Sequence, residues 1–341
     1  MRELAEELKR FDGAGPVSRA VVLATWGSAP RPAGAVLLRA ADGRMAGSVS
    51  GGCVENAVLE EMAIAAKTGR SKRLRYEVTD ETAWQVGLAC GGTIEVLVEP
   101  VVVGEVRSAV LSGAKDAKSE VRGVVVASTL EGDRRWVISE NGTTTGPEPL
   151  PAPVVEEALK GLRGERSMLM DTSHLALRTP HLFLETFPRA PELLIIGAGH
   201  VAQELVPLAK RMGFRTIVFD AREAFLTAER FPDADELVRG WPTETLPGRL
   251  GPASYVAVLS HDPKLDEPCV RQALRSPARY VGVIGSKKNQ EKRREALASE
   301  GFSIEEIARL RGPIGVPNGG SRPSEIALSV IFQVVRAKNL E

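Results

Sequence analysis

The run Gly197-Ala198-Gly199-His200-Val201-Ala202 has the residue types and spacing that most directly imply chemistry. A strand-length apolar run, Leu193 to Ile196, leads into it, and a second, Thr216 to Phe219, ends on Asp220. An acid about twenty residues beyond a G-x-G-x-x-A turn is the spacing of a dinucleotide-binding motif. Gly197 would permit the tight turn, Gly199 would let backbone N–H groups approach a pyrophosphate at a helix N-terminus, and small Ala202 would let that helix pack on its strand. Asp220 would accept from ribose hydroxyls, and His200 enters the same crevice. Two cysteines also sit among glycines: Cys53 in Gly47-Ser48-Val49-Ser50-Gly51-Gly52-Cys53-Val54-Glu55 and Cys90 in Gly87-Leu88-Ala89-Cys90-Gly91-Gly92. The first loop runs into a helix, so the N–H groups of Gly51 and Gly52 are placed for an anion and a thiolate at Cys53 would be stabilised. The pair could offer soft ligands to a metal or relay sulfur; two buried small hydrophobes is the plainer reading. Cys269 has no glycine loop and reads as an ordinary helix residue.

The elements that must position these groups fall into two textures. From 191 onward strands and helices alternate: a helix over 202–212 ended by Gly213, a strand over 254–259 followed by Ser260-His261-Asp262, a helix over 268–275, and a strand over 280–284 followed by Gly285-Ser286-Lys287-Lys288. In such a sheet ligands bind beyond the carboxyl ends of the strands, so the loops after Ile196, Leu259 and Ile284 are expected to converge, with Lys287 or Lys288 meeting a phosphate or merely opening a solvated helix. Arg322, before a final helix over 324–338, is a further candidate anion contact. Before 191 the chain reads as strands at 21–25, 35–39, 74–78 and 94–99 with a helix over 53–67, completed by strands at 167–171 and 181–187, while 141–153 reads as a surface loop. The expected fold is therefore α/β: an N-terminal α+β domain over 1–190, followed by a Rossmann-like doubly wound parallel sheet over 191–341, with Pro188 to Pro191 as the boundary.

Composition excludes several classes. Lys plus Arg equals Asp plus Glu at 44 each, so no basic field points to nucleic acid. Apolar runs are strand-sized and nothing after Met1 resembles a signal peptide, so neither membrane nor export is expected and the cytoplasm is the expected location. Three cysteines without a C-x-x-C pair argue against a disulfide framework or closed zinc site.

Taken together, these residues resemble the XdhC/CoxI family of accessory factors, which mature xanthine dehydrogenase and related molybdenum hydroxylases. The resemblance rests on Gly27-Ser28-Ala29-Pro30-Arg31, Ser50-Gly51-Gly52-Cys53-Val54-Glu55, Cys90-Gly91-Gly92 and the Gly197 to Ala202 run. It continues through His261-Asp262, Leu265-Asp266-Glu267-Pro268, Tyr280-Val281-Gly282, Gly285-Ser286, Pro313-Ile314-Gly315 and Glu325-Ile326-Ala327. It implies a chaperone that binds the molybdenum cofactor, as molybdopterin or a dinucleotide form, and helps deliver its sulfurated form to an apo-xanthine dehydrogenase or related hydroxylase. On this view no residue is catalytic. Gly197, Gly199 and Asp220 would hold the phosphate or nucleotide side, and Cys53 and Cys90 would face the metal or sulfur. A cysteine desulfurase partner and a homodimer are further implications. Family members are often labelled with their client's name, yet this chain has neither iron–sulfur cysteine motifs nor the length of that enzyme. Where relatives commonly carry histidine before Pro-Ile-Gly, it has Arg311-Gly312. The competing class is an NAD-dependent oxidoreductase using the same crevice. Asp220 would favour NAD over NADP there, with His200 or His261 as acid or base. No Ser/Tyr/Lys or His/Asp constellation at dehydrogenase spacing supports it.

Overall fold

The computed structural model describes residues 11, 17–27, 31–52, 54–78, 92–101, 123–131, 134–317 and 320–340. It divides into two compact units, Met1–Arg189 and Ala190–Glu341.

The first unit is built on two five-stranded sheets. Strands β1 (Val17–Gly27), β2 (Val36–Ala40) and β3 (Met45–Gly47) are followed by helix α1 (Glu55–Thr68), β4 (Lys72–Val78) and β5 (Gly92–Val101). They pair antiparallel in the order β3-β2-β1-β5-β4. Alternation along β1 explains its central place: Val17 and Val21 face one core with Leu38 and Leu97, whereas Ala20 and Val22 face another with Val58, Met62 and Ala65 of α1. The second sheet comprises β6 (Val124–Thr129), β7 (Arg135–Ser139), β8 (Thr144–Thr145), β9 (Met168–Asp171) and β10 (His181–Phe187), with α2 (Ala152–Arg163) between β8 and β9. Its order is β8-β7-β6-β10-β9. α2 packs on Val125, Ala127, Leu182 and Leu184, and Phe183 on the opposite face joins the core of the first sheet. Arg19 crosses between the sheets, bonding Glu99 at 2.7 Å and Glu185 at 2.8 Å, all three buried. Removing Arg19 alone would strand the buried Glu185 carboxylate and leave Glu99 with Arg135, at 3.1 Å, at a cost of about 3–5 kcal/mol. The loop expected over 141–153 instead holds β8 and the start of α2.

The second unit is one six-stranded sheet, parallel throughout. Its elements run β11 (Glu192–Ile196), α3 (His200–Arg211), β12 (Arg215–Asp220), β13 (Glu236–Arg239), α4 (Pro242–Thr245), β14 (Ser254–Val258), α5 (Pro263–Leu274), β15 (Tyr280–Val283), α6 (Lys287–Ser299), α7 (Ile304–Ala308), β16 (Leu310–Arg311) and α8 (Pro323–Leu340). The order β13-β12-β11-β14-β15-β16 is the 3-2-1-4-5-6 order of the Rossmann fold, reversing direction between β11 and β14. Strands covered on both faces must be apolar at every position. Leu193 and Ile195 accordingly pack under α3 and α8, and Leu194 and Ile196 under α5. Cys269 lies in that second layer, fully buried, and burial pushes its thiol up. The expected helix over 268–275 begins five residues earlier, at Pro263, because Asp262 caps it by accepting from the Lys264 amide at 3.0 Å. Among the described residues no helix is long and apolar enough to cross a membrane.

Candidate functional site

The turn from β11 to α3 lies at the point where the strand order reverses. Gly197 has φ +102°, and a Cβ there would lie 2.6 Å from the Ser260 Cα, so both conformation and space exclude a side chain. Its amide donates to the Phe219 carbonyl at 2.8 Å, tying the turn to β12. Gly199 precedes the first helical residue, with extended backbone and no side-chain cap. Nothing lies within 4 Å of where its Cβ would be. His200, exposed, opens the helix, while Ala202 is fully buried against the sheet. The first-turn amides of α3 thus have neither intrahelical partners nor a side-chain cap, and they carry the positive end of the helix dipole.

Asp220, at the end of β12, is 1% exposed and its carboxylate is fully engaged. One oxygen accepts from the Arg222 amide at 2.9 Å and Arg222 Nε at 2.9 Å. The other accepts from the Ala198 amide at 2.7 Å and a terminal Arg222 nitrogen at 2.8 Å. Burial pushes this carboxyl up, but the bonds from Arg222 and Ala198 outweigh it and hold it below the usual carboxylate range. The expected ribose acceptor is therefore a brace for the glycine turn.

Across the strand reversal, Ser260 donates to Asp266 at 2.5 Å. Asp266 is 3% exposed, and desolvation raises its carboxyl above the ordinary range against the Ser260 bond and the charges of Arg293 and His261. His261 adopts φ +60°, uncommon for a residue with a side chain. Lys287 opens α6 in an exposed position where Ser286 is the cap, accepting from the Asn289 amide at 3.3 Å. Arg322 is exposed too, and its amide donates at 3.0 Å to Glu325 in the first turn of α8. Gly197, Gly199, His200 and Asp220 thus share the β11–β12 end of the sheet. Lys287 follows β15 on the other side of the reversal, and Arg322 follows no long strand.

In the first unit the glycine loop after β3 is already filled. Glu55, first residue of α1, turns back so that its carboxylate accepts from the amides of Ser50 at 2.8 Å, Gly51 at 3.0 Å and Gly52 at 2.8 Å. It also accepts from the Ser48 hydroxyl at 2.7 Å and from the Ser50 hydroxyl. Despite desolvation, which raises it, bonds from Ser50, Ser48 and Gly52 lower this carboxyl to about 2. The anion expected at Gly51 and Gly52 is the protein's own. Cys53, Cys90 and residues 28–30 lie outside the described residues, and among the described ones no His/Cys/Asp/Glu group could hold a metal ion.

Two family models match the chain: "XdhC and CoxI family" over residues 12–77 and "XdhC Rossmann domain" over 193–334. The chain belongs to the XdhC and CoxI family. It is 26% identical to a Bacillus subtilis protein described as a probable xanthine dehydrogenase subunit, over 94% of this chain and 92% of that one. It is likewise 26% identical to the molybdenum cofactor insertion chaperone PaoD of Escherichia coli, over 92% of this chain and 80% of PaoD. A crystal structure described as a xanthine dehydrogenase from Bacillus halodurans superposes with a TM-score of 0.77 at 25% identity, covering 100% of this chain and 96% of that one.

Several polar groups of this family member escaped sequence reasoning. Asp266 lies inside a motif that carried the resemblance, yet nothing in spacing marks it as buried beside Ser260. Arg222 was legible only as a basic residue two places after a strand-ending acid. Glu55 signals itself through its position, three residues after Gly52 at a helix start, where a carboxylate can reach back to loop amides.

Proposed function

We propose that this chain is a maturation factor that binds the molybdenum cofactor and helps pass its sulfurated form to an apo-xanthine dehydrogenase or related molybdenum hydroxylase. The observation that carries this reading is the near full-length likeness to PaoD, a protein named for molybdenum cofactor insertion. The uncapped N-terminus of α3 supports it, because the open space at Gly199 and the unshared first-turn amides suit the cofactor's phosphate. The Gly51–Gly52 loop does not offer a second such place, since Glu55 holds its amides. Gly197 and Gly199 would therefore hold the phosphate end, with His200 beside it. Cys53 and Cys90 would supply thiolates to the metal or its sulfur, which a cysteine desulfurase would provide. Soft thiolates suit a sulfur-ligated metal. The bound group would supply the redox chemistry only after reaching its client; the chain's own residues bind and shield it. Cytoplasmic location and a homodimer belong to the same proposal.

The test is molybdenum analysis by mass spectrometry, with pterin fluorescence after acid oxidation, on protein from cells that make the cofactor. Wild type should carry molybdenum and pterin, and both should be lost in Cys53→Ala and Gly199→Asp. An empty wild type from a strain with proven cofactor supply would end the proposal. The Rossmann strand order keeps one alternative in view, a nicotinamide-dependent oxidoreductase. NADH turnover with a small substrate would favour that class.

A further inference from the structure

We propose that the outer end of the second unit's crevice, beyond β12, is built for a phosphorylated ribose. A dinucleotide carrying a 2′-phosphate should then bind in preference to one with a free 2′-hydroxyl. The inference goes beyond the carrier reading and does not depend on it.

In Rossmann dinucleotide sites the acid ending the second strand accepts from the adenosine ribose, or an arginine nearby accommodates a 2′-phosphate. A carboxylate has about four acceptor positions. At Asp220 four donors occupy them, from Ala198 and Arg222. A ribose diol could bond here only by displacing Arg222, which grips both oxygens. A phosphate meets the opposite situation, because it needs donors and positive charge. Arg222 uses Nε–H and one terminal N–H on Asp220, so of a guanidinium's roughly five N–H groups most remain for a ligand. Its guanidinium lies over the Phe225 ring, 4.3 Å from the centroid, a cation–π contact that adds to its hold on Asp220.

A second cation stands beside it. Arg230, half-buried, lies 5.0 Å from the same ring, donating to the Phe225 carbonyl at 2.8 Å and to Gln203 at 3.2 Å. Among the described residues it has no carboxylate partner. Asp220 pairs with Arg222, and Glu223 with Arg239 at 2.7 Å, so Arg230 is the arginine here whose charge no ion pair offsets among the described residues. Asp262 is the other carboxylate whose charge reaches Arg222, from beyond the strand reversal. The paired acid that would repel a 2′-phosphate is covered, and the two arginines that would bind one both lie within 5.0 Å of the Phe225 ring centroid.

The deciding experiment is calorimetric titration of the full chain at low salt with NADP, NAD, 2′,5′-ADP and 5′-ADP, repeated on Arg222→Gln and Arg230→Gln. One to two charge-assisted hydrogen bonds correspond to a preference on the order of tenfold to hundredfold. NADP should lead NAD by that factor. 2′,5′-ADP should likewise lead 5′-ADP, which carries the same number of phosphates. The preference should fall below about threefold in either variant. Equal binding of the two dinucleotides, tighter NAD, no binding of either, or a preference that survives both substitutions would overturn the inference. The wild-type comparison decides without any variant, and melting temperature shows whether the variants remain folded. Absence of molybdenum from the protein would sink the carrier reading and leave this one standing.

Discussion

Two glycine-rich turns lead from a strand into a helix, one after β3 and one after β11, and they end in opposite states. Both read as anion cradles in the sequence. After β3 the first helical residue is Glu55, whose carboxylate returns to the loop amides and fills them. After β11 the first helical residue is His200, exposed; Asp220 takes the Ala198 amide of the turn, but the first-turn amides of α3 keep no side-chain cap. Glycine spacing sets where backbone donors point; the residue opening the helix decides whether they are already taken. One turn is a closed structural ring, and the other leads into a helix start that no side chain caps.

The comparison breaks most severely at Gly197. Gly197→Ala forces a side chain onto Ser260 at φ +102° and should destabilise the second unit by about 3 kcal/mol or more, read as a lower urea midpoint. An unchanged midpoint would mean the turn is less constrained than its geometry implies. Glu55→Ala should cost about 2 kcal/mol by removing charge-assisted bonds from the first unit. Added phosphate should raise the variant's melting temperature by more than it raises that of wild type, because the emptied loop adds a second anion receptor to the uncapped start of α3.

Glu55 also gives the first unit an acid signature. Its carboxyl sits at about 2 when folded against an ordinary 4.5, so its contribution is present above pH 4.5 and fades as pH falls toward about 2. Stability measured across that window should fall more steeply in wild type than in Glu55→Gln; parallel curves would mean Glu55 is not held as described. The smallest effect on folding belongs to Gly199. Open space surrounds it and its φ is −80°, so Gly199→Asp should shift stability by less than about 0.5 kcal/mol, since aspartate is itself a good cap. It should nonetheless abolish anion binding, because its carboxylate would do for α3 what Glu55 does for α1.

The fold was legible where burial left a periodic trace. β11, β12, β14 and β15 are apolar on both faces and stand out as runs. β13, spelled Glu236-Leu237-Val238-Arg239, and two-residue β16 leave no such trace, since edge strands need little apolar surface. α2 also carries a legible trace, Val154, Ala158 and Leu162 at helical spacing with Val155 and Leu159 beside them, although the sequence reading places no helix there. At the candidate site, backbone roles were readable because glycine has few substitutes at positive φ. Side-chain roles were not: Asp220 stands at the expected position, but only geometry reveals that Arg222 and Ala198 have saturated it. Acceptors are consumed by neighbours, and no spacing rule counts them.

Reconstitution of a cofactor-free xanthine dehydrogenase tests the central claim most directly. The chain purified from cofactor-producing cells should activate the apo-enzyme in proportion to the molybdenum it carries, and Gly199→Asp, folded but empty, should give no activation above buffer. Equal activation by wild type and Gly199→Asp, or none by a molybdenum-loaded wild type, would contradict the account.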